Sequence, residues 1–229
     1  GSHIAAHAIN PALYPNLGVD FLREIAPVIC AARLAYLVVV NPSLPVKTLP
    51  EFIEAARKDP SLRNYGVPIV GGVPQIMGEA VAKKVDSAMT VIPFAGAAPL
   101  MPQLMGGQLS AGIVGVGEAL SMYKTGKVRL MGISGNKRSS ILPDVPTFEE
   151  MGLPGVRLGT FYTVYAPKDL PKAMAERFNK ALRLAVADPS VEKRAQEMSI
   201  ELHSPALEET QREMASVADF WQRAQKAPQ

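Results

Sequence analysis

The stretch LAYLVVVNPSLPVKTLPE, residues 34–51, decides the fold. Its first half is an unbroken apolar run, aliphatic but for Tyr36, that stops at Asn41 and Pro42. Such a run, without alternating polar residues, is the pattern of a strand buried on both faces. Its second half sets Thr48 three residues ahead of Glu51. That is a capping box, in which each side chain accepts from the other residue's backbone N–H. The spacing predicts a helix over 49–58. A doubly buried strand followed at once by a capped helix is the start of an α/β layer.

The same alternation continues downstream. Strands are predicted near 63–67, 89–94, 109–115, 128–134 and 162–166. Helices are predicted over 73–84, 97–105 and 118–124. A second capping box at Thr147 and Glu150 predicts a short helix closed by Gly152. Two further helices follow over 172–187 and 190–198, then a short strand near 200–203. The first of these helices places Met174, Phe178, Ala181, Leu182 and Ala185 on one face. A long final helix carries Leu207, Met214, Val217, Trp221 and Ala224 as a stripe. Repeated strand–helix–strand units imply a parallel, right-handed, doubly wound architecture. The last 60 or so residues are helix-rich and need a sheet elsewhere to pack on.

Composition narrows the function classes. Twenty prolines among 229 residues exceed the usual value of about 5%. With 48% apolar residues, this describes short buried elements separated by hard stops. The net charge of +3 is dispersed: residues 1–40 set Arg23 and Arg33 against Asp20 and Glu24, and no later segment forms a basic stripe. Nucleic acid and an anionic membrane surface are therefore poor partners. The uncharged run 87–117 is interrupted by Pro93, Pro99, Pro102 and several glycines, so it reads as buried strands and loops rather than a membrane-inserted helix. Residues 1–19 lack the pattern of a signal peptide.

Catalysis finds little support. No G-x-S-x-G elbow, Walker A loop or dinucleotide fingerprint is present, so no catalytic residue or cofactor is expected. Cys30, the single cysteine, lies in an apolar stretch and reads as a structural thiol. His3, His7 and His203 have no partners at ligand spacing, so no metal is expected. What remains is a set of uncharged, glycine-rich loops at strand-to-helix junctions, around Gly71, Gly72 and Val73, around Gly96 and Ala97, and around Gly115. In a parallel sheet such junctions lie at the carboxyl ends of the strands, where ligands bind. The free N–H groups of the following helices hold an anion without a charged side chain. Binding without catalytic side chains points to a receptor.

Several blocks carry a family resemblance. The segment from His7 to Tyr14 (HAINPALY), the segment from Leu37 to Leu49 (LVVVNPSLPVKTL), and the segment from Leu142 to Thr147 (LPDVPT) occur in this order. With Gly106-Gly107-Gln108, Lys137-Arg138-Ser139 and Ala166-Pro167, they resemble the substrate-binding receptors of tripartite tricarboxylate transporters, the Bug family. The resemblance implies a type II periplasmic binding-protein fold: α/β, with two doubly wound lobes joined by two crossover strands. It implies a periplasmic receptor that binds a small carboxylate between its lobes and delivers it to a cognate membrane permease. Lobe 2 is expected over residues 41–156, and lobe 1 over 1–40 and 157–229. Family members carry a strand, a ligand loop, a helix and further strands ahead of the first block, so lobe 1 is expected to be incomplete here. Such a chain is expected to be marginally stable, to self-associate or to bind weakly.

The expected ligand contacts are Ala6, His7, Phe161 and Tyr162 from lobe 1, and Gly71, Gly72, Val73, Gly96, Ala97 and Gly115 from lobe 2. The ligand loops depart from the family pattern. Gly72 stands in place of a common hydroxyl and Gln75 in place of a common histidine. Ala95 stands where lysine is common and Ser110 where aspartate is common. Fewer side-chain donors remain, which allows a more apolar or aromatic acid. Two other classes stay open: a ligand-sensing module of a regulatory system, and an enzyme on a doubly wound scaffold.

Overall fold

The computed structural model describes residues 2–3, 24–86, 88–135, 137–153 and 159–226. The chain divides into two units, one of Gly1–Leu34 with Thr160–Gln229 and the other of Ala35–Gly159.

The stretch 34–51 organises the second unit. Strand β3 (Tyr36–Val40) is buried along its whole length and lies in a five-stranded sheet. Helix α1 (Leu49–Lys58) follows, with Thr48 accepting from the Glu51 amide as its cap. Then come β4 (Asn64–Val67), α2 (Val73–Val85), β5 (Thr90–Pro93), α3 (Ala97–Met105), β6 (Ala111–Gly115), α4 (Val116–Lys124) and β7 (Arg129–Ile133). The sheet order is β5-β4-β6-β3-β7. Strands β5, β4 and β6 run parallel, each reached through a helix. Strand β3 is antiparallel to both β6 and β7. This departs from the all-parallel expectation for a physical reason. β3 enters from the other unit without an intervening helix, so the crossover rule that forces parallel pairing does not act on it.

Close helix–sheet contact sets the core. A side chain at Gly78 of α2 would fall within the Tyr65 ring of β4, so glycine there lets the two elements touch. Leu100 and Leu104 of α3 are fully buried in one cluster with Val39, Val114 and Ile133. The loop after β3 is tied down at both ends. Asn41 donates to the carbonyls of Leu104 (3.0 Å) and Met105 (2.7 Å), and the Arg129 guanidinium donates to those of Pro42, Leu44 and Val46.

The predicted helix at 147–150 is a turn. The Thr147–Glu150 cap forms, with Glu150 accepting from the Thr147 amide (2.7 Å) and Thr147 Oγ1 from the Glu150 amide (3.2 Å). Thr147 also bridges to Ile133, which holds it in extended backbone, and Gly152 at φ +76° closes the segment after one turn.

The first unit is built on β2 (Ile25–Leu34) and β8 (Thr160–Pro167), in the sheet order β1-β8-β2-β9, where β1 is Ser2–His3 and β9 is Glu201–Leu202. Every pairing described in this sheet is antiparallel. Helices α5 (Lys172–Val186), α6 (Pro189–Glu197) and α7 (Leu207–Lys226) complete it. The sequence pattern does not announce β2. Its pairing with β8 shifts register between Pro27 and Ile29 and between Cys30 and Ala32, so no clean alternation marks it. Among the described residues no helix is long and apolar enough to cross a membrane.

Candidate functional site

The parallel strands β4, β5 and β6 end together. Val67 lies opposite Pro93, and Gly66 lies opposite Gly112, so the loops after all three strands leave from one sheet edge. The Phe94 amide donates to the Val67 carbonyl (2.9 Å) and the Gly96 amide to that of Pro68 (3.2 Å), which ties the first two loops together. Helices α2, α3 and α4 begin on this edge with glycine caps, Gly72, Gly96 and Gly115. None of these caps offers a side-chain oxygen, so the first-turn amides must find other partners.

The three helix starts then differ. At α4 the Glu118 carboxylate folds back and accepts from the Gly115 amide (2.7 Å), and the Val116 amide donates to Ala35 (3.2 Å). That start already holds an anion of its own. At α2 the Gln75 side chain accepts from the Gly71 amide (2.9 Å) and donates to Glu79 (2.9 Å). The Gly72 amide closes a turn on the Ile69 carbonyl, and among the described residues the amides of Val73 and Ala97 have no acceptor. Of the six lobe-2 residues predicted from sequence, Gly71, Gly72, Gly96 and Gly115 therefore spend their amides on the chain itself, and Val73 and Ala97 do not.

Gly71 (φ +70°) and Gly96 (φ +99°) occupy backbone conformations that favour glycine. A Cβ at either position would meet nothing within 4 Å, so the backbone is open to an approaching group there. Residues 68–73 and 94–97 contain no ionisable side chain. Ile69 and Val70, in the loop before α2, are 55% and 68% exposed. The edge thus presents unpartnered N–H groups at two helix N-termini, where the helix dipole favours negative charge, beside an exposed apolar pair. Beneath it, burial and the Glu79 carboxylate push the Tyr65 hydroxyl up to about 12, so it stays protonated. Ser110, at the position where the family resemblance expected an acid, is buried. Its amide donates to Asn64 (2.8 Å) and its hydroxyl to the Ser61 carbonyl (3.2 Å), a structural role.

The predicted residues of the first unit divide differently. Ala6 and His7 lie outside the described residues. Phe161 and Tyr162 are successive on β8 and project to opposite faces. Phe161 is buried, with the Arg33 guanidinium 5.7 Å from its ring centroid, whereas Tyr162 is exposed. They do not present a joint aromatic surface.

Sequence reasoning missed one cluster. Cys30, His203 and Glu213 each place a ligand-capable atom within 4.8 Å of the others. Antiparallel pairing of β2 with β9 and the bond from the His203 amide to the Ala31 carbonyl (3.0 Å) bring them together. No local spacing could signal it, because Cys30 and His203 stand far apart in the chain. A separate cavity of about 330 Å³ in this unit is lined by Pro27, Ala166, Lys168, Lys172 and Glu208 among others, and contains none of the predicted residues.

A family model described as "Tripartite tricarboxylate transporter family receptor" matches residues 2–227. A curated relative from Agrobacterium vitis, "UPF0065 protein in the TAR-I ttuE-ttuC' intergenic region", is 27% identical over 180 residues, 79% of this chain and 52% of its own length. "Protein BugT" of Bordetella pertussis is 25% identical over 190 residues, 83% of this chain and 58% of its own length. The chain thus spans little more than half the length of these relatives. Among solved structures, "R. palustris Rpa4515 with adipate" superposes with a TM-score of 0.78 at 26% identity, covering 98% of this chain and 75% of that one.

Proposed function

We propose, from the premise that the chain belongs to the tripartite tricarboxylate transporter receptor family, that it acts in an extracytoplasmic solute receptor which binds a small carboxylate and delivers it to a membrane permease. The observation that carries this reading is the β4–β5–β6 edge. Unpartnered amides at Val73 and Ala97 stand at two helix N-termini, with open backbone at Gly71 and Gly96. A carboxylate is the ligand such an edge accepts. It takes two or more N–H donors at once, and charge-assisted bonds of this kind contribute about 1.5–3 kcal/mol each. No counter-charge in the loops is required, because the helix termini supply the field.

The apolar pair Ile69 and Val70 bears on the rest of the ligand. A carboxylate with an aliphatic or aromatic body would cover them, whereas a short hydroxy-acid would leave them in water. Adipate, the molecule named with the R. palustris relative, has a body of that kind. The same edge offers binding without chemistry, since its loops hold no nucleophile and no acid–base pair. Calorimetric titration of the protein from its intact gene with adipate, malate, acetate and benzoate checks this. Saturable binding is expected for adipate or benzoate, with malate and acetate weaker. Silence across the series removes the carboxylate reading, and tighter binding of malate removes the role given to Ile69 and Val70.

A further inference from the structure

The Cys30, His203 and Glu213 cluster lies wholly within the first unit and is separate from the carboxylate edge. Cys30 is on β2 and fully buried, His203 follows β9, and Glu213 lies in the second turn of α7. The hydrogen bonding among them is internally mismatched. His203 Nε2 lies 2.7 Å from Arg33 Nη2 and 3.0 Å from Glu213 Oε2. The guanidinium only donates and the carboxylate only accepts. A neutral ring with its lone pair on Nε2 satisfies Arg33 and turns that lone pair toward the carboxylate. A protonated Nε2 satisfies Glu213 and turns its N–H toward the guanidinium. In either state one of the two contacts joins like groups. Arg33 is itself incompletely held: it pairs with Glu213, yet among the described residues its buried Nε has no hydrogen-bond partner.

A metal ion removes the mismatch, because thiolate, imidazole lone pair and carboxylate all face a cation in the same sense. The donor set of one sulfur, one nitrogen and one oxygen suits a borderline-soft divalent ion of the zinc class. Tetrahedral coordination by these atoms places them about 3.3–3.6 Å apart, from metal–ligand distances of about 2.0–2.3 Å. The observed separations of up to 4.8 Å and of 3.0 Å close to that range through side-chain adjustments of about 1 Å. We propose that Cys30, His203 and Glu213 form a site for a zinc-class divalent cation, in which the Arg33 guanidinium is a resident cation that the metal displaces. Phe161, whose ring centroid lies 5.7 Å from the guanidinium carbon, offers the displaced side chain a face to rest on. Binding converts the Cys30 thiol to a metal thiolate and releases its proton to solvent. Burial and the Glu213 charge push that thiol up to about 11 in the metal-free protein, so the ion itself must draw the proton off.

The test is titration of the chelator-treated protein with Co²⁺, read by absorption, and with Zn²⁺, read by calorimetry. The expected result is one ion per chain and a near-ultraviolet thiolate-to-cobalt charge-transfer band. Cys30→Ser abolishes the band and weakens Zn²⁺ binding by about tenfold or more, the scale on which metal sites respond to ligand-sphere changes. Arg33→Gln tightens Zn²⁺ binding by about tenfold or more, because it removes a unit positive charge from beside the ion. The absence of a band at saturating Co²⁺, or Zn²⁺ binding unchanged by Cys30→Ser, overturns the site. Weaker binding in Arg33→Gln overturns the displacement. If Arg33→Gln does not fold, as judged by near-ultraviolet circular dichroism, the native protein and Cys30→Ser decide the question alone.

Discussion

The two units fasten their helices differently. In the second unit the sheet and its helices close over large apolar side chains: Leu37, Phe52, Met77, Leu100, Leu104 and Phe148 are fully buried. In the first unit the helix with the clearest amphipathic pattern, α5, buries only Asn179. Met174, Phe178 and Leu184 on α5, with Met198 just beyond α6, are each about half exposed or more. What fastens α5 is polar. Asn179 donates to the carbonyls of Val28 (2.8 Å) and Pro205 (3.1 Å), and Thr163, Ser199 and Thr210 are buried in the same unit. The difference teaches that an apolar stripe in a sequence states a capacity for burial, not a fulfilled contact. The helices of the second unit are fastened by apolar burial, whereas α5 is fastened by directional bonds.

This contrast can be broken by substitution. Phe52→Ala in α1 is expected to cost about 3–5 kcal/mol, the range for emptying a fully buried aromatic site, as read from denaturant unfolding. Phe178→Ala on α5 is expected to cost less than about 1 kcal/mol by the same measurement, since its ring is half in water. Equal costs would refute the contrast. Gly78→Ala is expected to destabilise the second unit by about 1–3 kcal/mol, because the new methyl group falls within the buried Tyr65 ring and the core has to spread. In the first unit the corresponding weak point is polar. Asn179→Leu adds apolar bulk yet strands two buried carbonyls, so a loss of about 1–3 kcal/mol is expected despite the gain in hydrophobicity. A stabilised Asn179→Leu variant would show that α5 is held by apolar packing after all.

The smallest effect concerns acid. Hydrogen bonding from Arg138, backed by the Thr147 amide, holds the Glu150 carboxyl below the usual carboxylate range. Its folded pKa lies below the unfolded value, so its contribution is present above the unfolded value of about 4.3 and is lost as pH falls through the folded one. The melting temperatures of the native protein and Glu150→Gln should differ slightly at neutral pH and converge in acid. A gap that widens in acid would reverse the assignment.

The helical punctuation of the second unit was legible in the sequence because it is local. The Thr48 cap, whose Glu51 carboxylate accepts from the Lys47 amide rather than from Thr48 as a capping box would have it, Gly96 ahead of Ala97, and Gly106 after Met105 each mark an end within a few residues. The glycine loops on the β4–β5–β6 edge were legible for the same reason. The fate of their amides was not. That Glu118 closes α4 and Gln75 occupies Gly71, leaving Val73 and Ala97 open, depends on side-chain rotamers within one turn. Non-local features were invisible. The antiparallel entry of β3, the bulged β2 and the meeting of Cys30 with His203 follow from strand pairing over long separations. The exposed face of α5 had the periodicity of a buried one, and nothing in periodicity says whether a partner is present.

The central claim is that backbone amides at two helix starts hold a carboxylate. Ala97→Pro tests it most directly. Proline at the first helical position keeps the helix and removes one N–H. Calorimetry of the protein with the tightest-binding carboxylate should show affinity lowered by about tenfold or more, with an unchanged melting temperature, as expected for loss of one charge-assisted hydrogen bond. Undiminished affinity in Ala97→Pro would contradict the account.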